Sequence, residues 1–241
     1  MGKLVIIGDI HSRAVWRKIV NDNPDADKFI FLGDYFDSYE KRYYPSKQIF
    51  NFKEILKLQE DLGDDKVILL LGNHDYHYMN SQKHYTGYNQ ITYFDASPLL
   101  RENYLNGKIK IIHIEDNLLF SHAGVTDYWL KNISSSKELD KLNDVEQFDF
   151  RTLEWNMECG NDDFGNTKSN SPIWVRPEAL INDKLDGYIQ VVGHTWFSPD
   201  EIEETIRMGK ETDVYVVDCL PHHYLIIENN EFKYIEIRYE E

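Results

Sequence analysis

KFIFLGDYFD, residues 28–37, is the stretch on which the fold turns. After Lys28 its first half is wholly apolar, as expected of a strand covered on both faces. Gly33 ends the run, and two carboxylates, Asp34 and Asp37, follow at once. Taken alone this is a polar turn after a strand, but the chain repeats it. KLVIIG leads into Asp9 and His11, VILLLG into Asn73, His74 and Asp75, LLFS into His122, and YIQVVG into His194. Between the first three runs lie helix-like segments. SRAVWRKIVND opens on a serine suited to N-capping, and SKQIFNFKEILKLQEDL follows Pro45 and closes at Gly63. This β-α-β-α-β order predicts parallel strands.

Further along, IKIIHI-EDN-LLFSH and HYLIIE-NN-EFKYIEI each read as two strands joined by an Asn-containing turn, hence antiparallel pairs. A mixed α/β fold, with two packed sheets covered by helices, uses all of these runs. Residues 78–108 and 132–175 carry little pattern and are expected to be irregular, lid-like segments. No internal repeat and no low-complexity linker divides the chain, so residues 1–241 are expected to form one domain.

Composition narrows the function. At 41% hydrophobic and 28% charged residues, the chain reads as globular rather than disordered. It has no apolar stretch of the roughly 20 residues that span a bilayer, so no membrane partner is expected. Only Cys159 and Cys219 are present, too few for a disulfide framework, and a cytoplasmic location is expected. The net charge of −16 argues against a grip on extended nucleic acid. An acidic chain can still act on phosphates if bound cations reverse the local charge.

Open sheets bind ligands at the carboxyl ends of their strands, where loops diverge, and glycine there lets backbone and ligand approach closely. The five loops carrying Asp9/His11, Asp34/Asp37, Asn73/His74, His122 and His194 are therefore expected to converge. Mixed Asp, Asn and His donors suit divalent manganese first, with iron or zinc as alternatives, rather than an all-oxygen calcium cage. With one shared carboxylate, such a set can hold two ions about 3.5–4 Å apart, the spacing used in phosphoryl hydrolysis.

GDIH (8–11), GDYFD (33–37), GNHD (72–75), SHAG (121–124) and GHT (193–195), in that order, resemble the calcineurin-like metallophosphoesterase superfamily. The wording is closest to the phosphoprotein phosphatase branch, with its bacterial diadenosine-tetraphosphatase and phage phosphatase relatives. The resemblance implies a two-sheet αββα sandwich. It implies one metal held by Asp9, His11 and Asp34, and a second held by Asp34, Asn73, His122 and His194, with Asp34 bridging. Asp37 would then orient His74, the acid that protonates the leaving oxygen after in-line attack by metal-bound hydroxide. IWVRP resembles the Trp-x-Arg of phage and bacterial relatives, which makes Arg176 a phosphate clamp. Asp218, in VVDC, aligns with an acidic residue that supports the ligands from behind.

The chain departs from that branch where Ser38 and Leu71 stand in place of arginines. Neither can grip two phosphate oxygens as a guanidinium does; Lys41 and Arg42 are nearby substitutes. Trp196 stands where diesterase-like members carry a second metal histidine. The resemblance thus implies hydrolysis of phosphate monoesters, either phosphoprotein or nucleotide, including dinucleoside polyphosphates. A phosphodiesterase or nuclease on the same metals, and an inactive binding scaffold, are the alternatives. His77, His84, His113, His222 and His223 lack motif context and read as structural or exposed. The aromatic stretch 76–94 is a candidate for stacking a nucleobase.

Overall fold

The computed structural model describes residues 2–38, 40, 42–80, 83–155 and 165–238. The three apolar runs form β1 (Leu4–Ile7), β2 (Lys28–Phe31) and β3 (Val67–Leu70), parallel and adjacent in register. β4 (Ile109–Lys110) extends this sheet on one side in parallel with β3. The antiparallel hairpin of β9 (His223–Glu228) and β10 (Glu231–Glu236) extends it on the other, giving the order β10-β9-β1-β2-β3-β4. A second sheet runs β5-β6-β7-β8, from β5 (Ile112–Glu115), β6 (Leu118–Ser121), β7 (Ile189–Val192) and β8 (Val214–Val216). β5 and β6 pair antiparallel, and β6, β7 and β8 run parallel.

Period-two alternation separates the layers. Leu4, Ile6, Ile30, Leu32, Ile68 and Leu70 face the second sheet and pack on Phe120, Val191 and Val217. The alternate residues Val5, Ile7, Phe29, Phe31, Val67 and Leu69 face the helical layer, with Trp16, Ile19, Phe52 and Ile55. On the outer face of the second sheet, Val192, Val214 and Val216 lie with Leu180 of α5 (Pro177–Asn182) and Ile202 of α6 (Ile202–Thr212). Helices on both outer faces explain why the strand runs show no polar face. The architecture is the expected αββα sandwich.

Two local expectations are corrected. The first helix, α1, spans Trp16–Asp22, so Ser12 does not cap it. Ser12 has φ +63°, and its N–H donates to the Tyr35 carbonyl at 3.1 Å, because Ile10–Ser12 pair with the loop after β2. Within 78–108, α4 (Gln90–Leu105) is a regular helix. Asn89 caps it by accepting from Ile91 and Thr92, and its inner face (Thr92, Ala96, Leu100, Asn103) is half polar, which hid its period. By contrast, α2 (Pro45–Leu62) matches its expectation, with Pro45 in the first turn and Gly63 at φ +102° past its end. Residues 139–143 and 150–153 form single 3₁₀ turns; Lys41 and Cys159 lie outside the described residues. Among the described residues no helix is long and apolar enough to cross a membrane.

Candidate metal centre

β1, β2 and β3 run parallel, as do β6, β7 and β8, so each sheet delivers its strand-end loops to one edge. The loops after β1 and β2 are sewn together by backbone hydrogen bonds from His11 N–H to the Asp34 carbonyl (2.6 Å) and from Ile10 N–H to the Gly33 carbonyl (3.3 Å). The chain after β3 enters α3 (Asn73–Met79) through Gly72, where a Cβ would collide with the Asp34 side chain. Gly193 has the same relation to the Asp9 carboxylate. These glycines are required by close approach, as the sequence pattern suggested.

His11, Asp34, Asp37 and His194 all adopt positive φ (41°, 53°, 60° and 63°). Non-glycine residues in that region cost of order 1–3 kcal/mol each and persist only where surrounding structure holds them. Much of the holding falls to Asp75. Its buried carboxylate accepts from the backbone N–H groups of Asp34 (2.8 Å), Tyr35 (2.8 Å) and Gly72 (3.0 Å). Burial pushes its pKa up to about 7 against the opposing pull of those donors.

The donor atoms gather in two groups. Asn73 Oδ1 lies 2.8 Å from His122 Nε2 and 3.0 Å from His194 Nδ1, and His122 Nε2 lies 3.6 Å from Asp34 Oδ2. On the other side of Asp34, the same Oδ2 is 3.7 Å from His11 Nε2. Asp9, Asp34 and His122 bring one donor atom each within 4.8 Å of one another. Donors bonded to one ion at about 2.0–2.2 Å sit roughly 3 Å apart, so the first group is already spaced as a ligand set.

The tautomers agree with that use. His11 Nδ1 faces the Phe36 carbonyl at 3.0 Å and His122 Nδ1 faces the Leu32 carbonyl at 2.8 Å, which leaves each Nε2 as the lone-pair donor. Burial drives both imidazoles down to about pKa 3, so they are neutral at ordinary pH, as metal ligands must be. Asp9 and Asp34 show the opposite strain. Burial, and then a neighbouring carboxylate (Asp218 for Asp9, Asp9 for Asp34), raises each well above the carboxylate range. Divalent cations held there would offset both effects by favouring the ionised carboxylates. The residues present therefore fit two divalent ions.

His74 stands beside this cluster. Its ring is 5.1 Å from that of His11, its N–H donates to Asp34 Oδ1 at 2.9 Å, and its Nδ1 is 3.0 Å from Asp37 Oδ2. Asp9, His11, Asp34, Asn73, His74 and His194 line one cavity of about 700 Å³. A profile of the calcineurin-like phosphoesterases matches residues 2–216. The chain belongs to that family.

As a calcineurin-like phosphoesterase it is a metal-dependent hydrolase of phosphoric esters, acting on a phosphorylated substrate. Among solved structures it is similar to the cold-active protein-tyrosine phosphatase of a psychrophilic Shewanella species. That match has 17% identity and TM-score 0.57, covering 98% of this chain and 81% of that one. It is also similar to a protein serine/threonine phosphatase from Saccharomyces cerevisiae (14%, TM-score 0.54, 100% and 81%). A third is a metallophosphoesterase from Sphaerobacter thermophilus (14%, TM-score 0.52, 99% and 89%). At these identities the likeness is one of fold. No curated protein sequence matches the chain significantly.

The remaining expected residues fall as follows in this phosphoesterase. Arg176 lines the metal cavity, and its Nη1 donates to the His194 carbonyl (3.0 Å) and to Thr195 Oγ1 (3.1 Å). Asp218 lines it too, hydrogen-bonded to Asp9. Arg42 does not reach this cavity. It pairs with Glu40 at 2.7 Å and lines a separate cleft, so it does not replace the missing arginine. Leu71 is fully buried in the helix-side core, which leaves no room for a guanidinium.

Sequence reasoning missed His77 and Trp155 at this site. His77 has no exposed surface, and its Nε2 is 2.6 Å from Asp37 Oδ2; it lies one helical turn beyond His74, a spacing that placed it on the same face. Trp155 lines the cavity with Trp174 and Tyr85; Trp174 lies in the IWVRP motif and Tyr85 in the aromatic stretch 76–94, but no local motif announced Trp155.

Proposed function

We propose that the enzyme is a phosphomonoesterase using a dinuclear site, with Asp9, His11 and Asp34 on one ion and Asp34, Asn73, His122 and His194 on the other. When bound, the ions supply Lewis-acid charge neutralisation and an activated water. The protein's own groups supply the rest. Arg176 on the cavity wall, held through His194 and Thr195, orients the phosphoryl oxygens. His74, its Nδ1 fixed by Asp37, delivers a proton from Nε2 to the departing ester oxygen. Asp218 shores up Asp9 from behind. The observation that carries this reading is the convergence of an acid backed by a carboxylate on the same Asp34 that joins both donor groups.

A monoester has a dianionic phosphoryl group and one leaving oxygen, matched by one clamp and one acid. Trp196 at the cavity wall cannot ligate a metal, as the second histidine of diesterase-like members would. The physiological metal is proposed to be manganese, given the mixed oxygen and imidazole donors. The whole chain is proposed to act as one domain in the cytoplasm. Solved structures of this fold include a tyrosine phosphatase and a serine/threonine phosphatase, so the fold does not choose the substrate.

The test compares mono- and bis-nitrophenyl phosphate hydrolysis, with manganese restored to metal-stripped protein and His74→Asn alongside. Manganese-dependent monoester turnover that falls in the variant is expected. Dominant bis-ester turnover moves the enzyme to the diesterase reading, and stoichiometric metal with no turnover of either ester moves it to a scaffold.

A further inference from the structure

The cavity above the donor cluster has a polar floor and an aromatic wall. Asp9, Asp34, Asn73 and the histidines form the floor, while Tyr85, Trp155, Trp174 and Trp196 form the wall. Trp174 organises that wall. Its ring centroid is 4.6 Å from Tyr85 and 4.9 Å from Trp155, tilted by 60° and 69°, and 5.9 Å from the ring of His194. Trp174 is itself 5% exposed, whereas Trp196, two residues past His194, is 59% exposed and keeps its indole in water at the same cavity. Single exposed apolar side chains are ordinary. One that lines the same cavity as three other aromatic rings and the donor cluster offers a surface to which a planar group can stack.

We propose that the substrate's leaving group is a planar aromatic ring joined directly to the scissile oxygen, a phosphotyrosine-type aryl monoester. This rests on the phosphomonoesterase reading above. Two features favour it over other phosphate esters. Arg176 is the single Lys or Arg among the described residues lining the cavity. With Asp9 and Asp34 engaged by the ions, a polyphosphate chain would carry its further phosphates past Arg176 against aromatic rings, with no added side-chain cation to receive them. The wall also begins one ring's width from His194. A ring with no spacer reaches it, while a serine-type alkyl ester leaves the wall unused and a base set beyond a ribose skips its inner part.

The experiment separates binding from turnover. With manganese-loaded protein, calorimetry gives the dissociation constants of phenylphosphonate and methylphosphonate, neither of which can be hydrolysed at an ester. Phenylphosphonate is expected to bind roughly fivefold to tenfold more tightly, a margin lost in Trp196→Ala and largely kept in Trp196→Phe. In parallel, phosphotyrosine is expected to show a lower KM than phosphoserine or adenosine 5′-monophosphate. Equal affinity for the two phosphonates, an equal loss on both in Trp196→Ala, or a lower KM for adenosine monophosphate overturns the proposal. If no monoester is turned over, the phosphomonoesterase reading fails instead, and the phosphonate comparison still reports on the wall.

Discussion

Asp37 Oδ2 lies 2.6 Å from His77 Nε2, behind the 3.0 Å contact that the same oxygen makes with His74 Nδ1. The other oxygen of Asp37 accepts from the Tyr78 hydroxyl. One buried carboxylate thus holds the proposed acid from behind while being held by two side chains of the same helix. Asp37→Asn keeps the shape but removes the charge, and is expected to lower kcat for alkyl phosphates about 10–100-fold. Loss for p-nitrophenyl phosphate is expected to be smaller, because that leaving group scarcely needs an acid. Steady-state kinetics on both esters check this. Equal losses would show that Asp37 acts on something other than the acid.

The same pairing makes a prediction about acid stability. Burial alone would raise Asp37, but hydrogen bonds from His74 and His77 overcome it and hold the carboxyl at about 2. The folded pKa is below the unfolded value of about 3.9, so the contribution is present above pH 4 and is lost as pH falls towards 2. Asp37→Asn is therefore expected to cost about 2 kcal/mol near neutrality, with the gap from wild type closing in that acid window. Urea titrations of metal-free protein at several pH values measure it.

At higher pH the sign reverses. Asp9 and Asp34 are raised by burial and by neighbouring carboxylates, and burial raises Asp75 to about 7. Groups with raised folded pKa stabilise below their unfolded values, and that contribution is lost as pH climbs through the folded ones. Metal-free protein should therefore weaken as pH rises from about 4 to 7. Binding divalent ions requires ionised carboxylates and releases their protons. The gain in Tm on adding manganese is thus expected to be larger at pH 8 than at pH 5. A gain independent of pH would place the ions elsewhere.

Asp75 is fully buried and does not line the cavity, yet it holds three backbone N–H groups from two loops. Asp75→Ala strands those donors and is expected to destabilise by roughly 3–5 kcal/mol, with a matching loss of manganese affinity as Asp34 loosens. Asp75→Asn, which keeps one accepting oxygen, should lose less. Denaturation and metal titration on the two variants distinguish them.

Much of the fold was legible in residues 3–75, because strands buried on both faces must be uniformly apolar and the loops after them need glycine to reach the site. The same logic exposed Asp9, His11, Asp34, Asn73, His122 and His194, since ligand-type side chains recur at strand ends. α4 was not legible: its buried face is half polar and carries Thr92 and Asn103, so tertiary packing rather than periodicity defines it. Nor was the division of IKIIHI, whose first residues pair with β3 and whose remainder joins the other sheet.

The sequence by itself determined the family and the candidate donor set, because donor atoms and the glycines beside them are written locally, in order, at the ends of apolar runs. Only the tertiary structure decided what surrounds that chemistry. Asp37 and His77 meet across the gap between a loop and a helix, and Trp155, Trp174 and Trp196 come together from separate segments. Contacts between residues distant in the chain follow from how layers pack, and no local spacing encodes them.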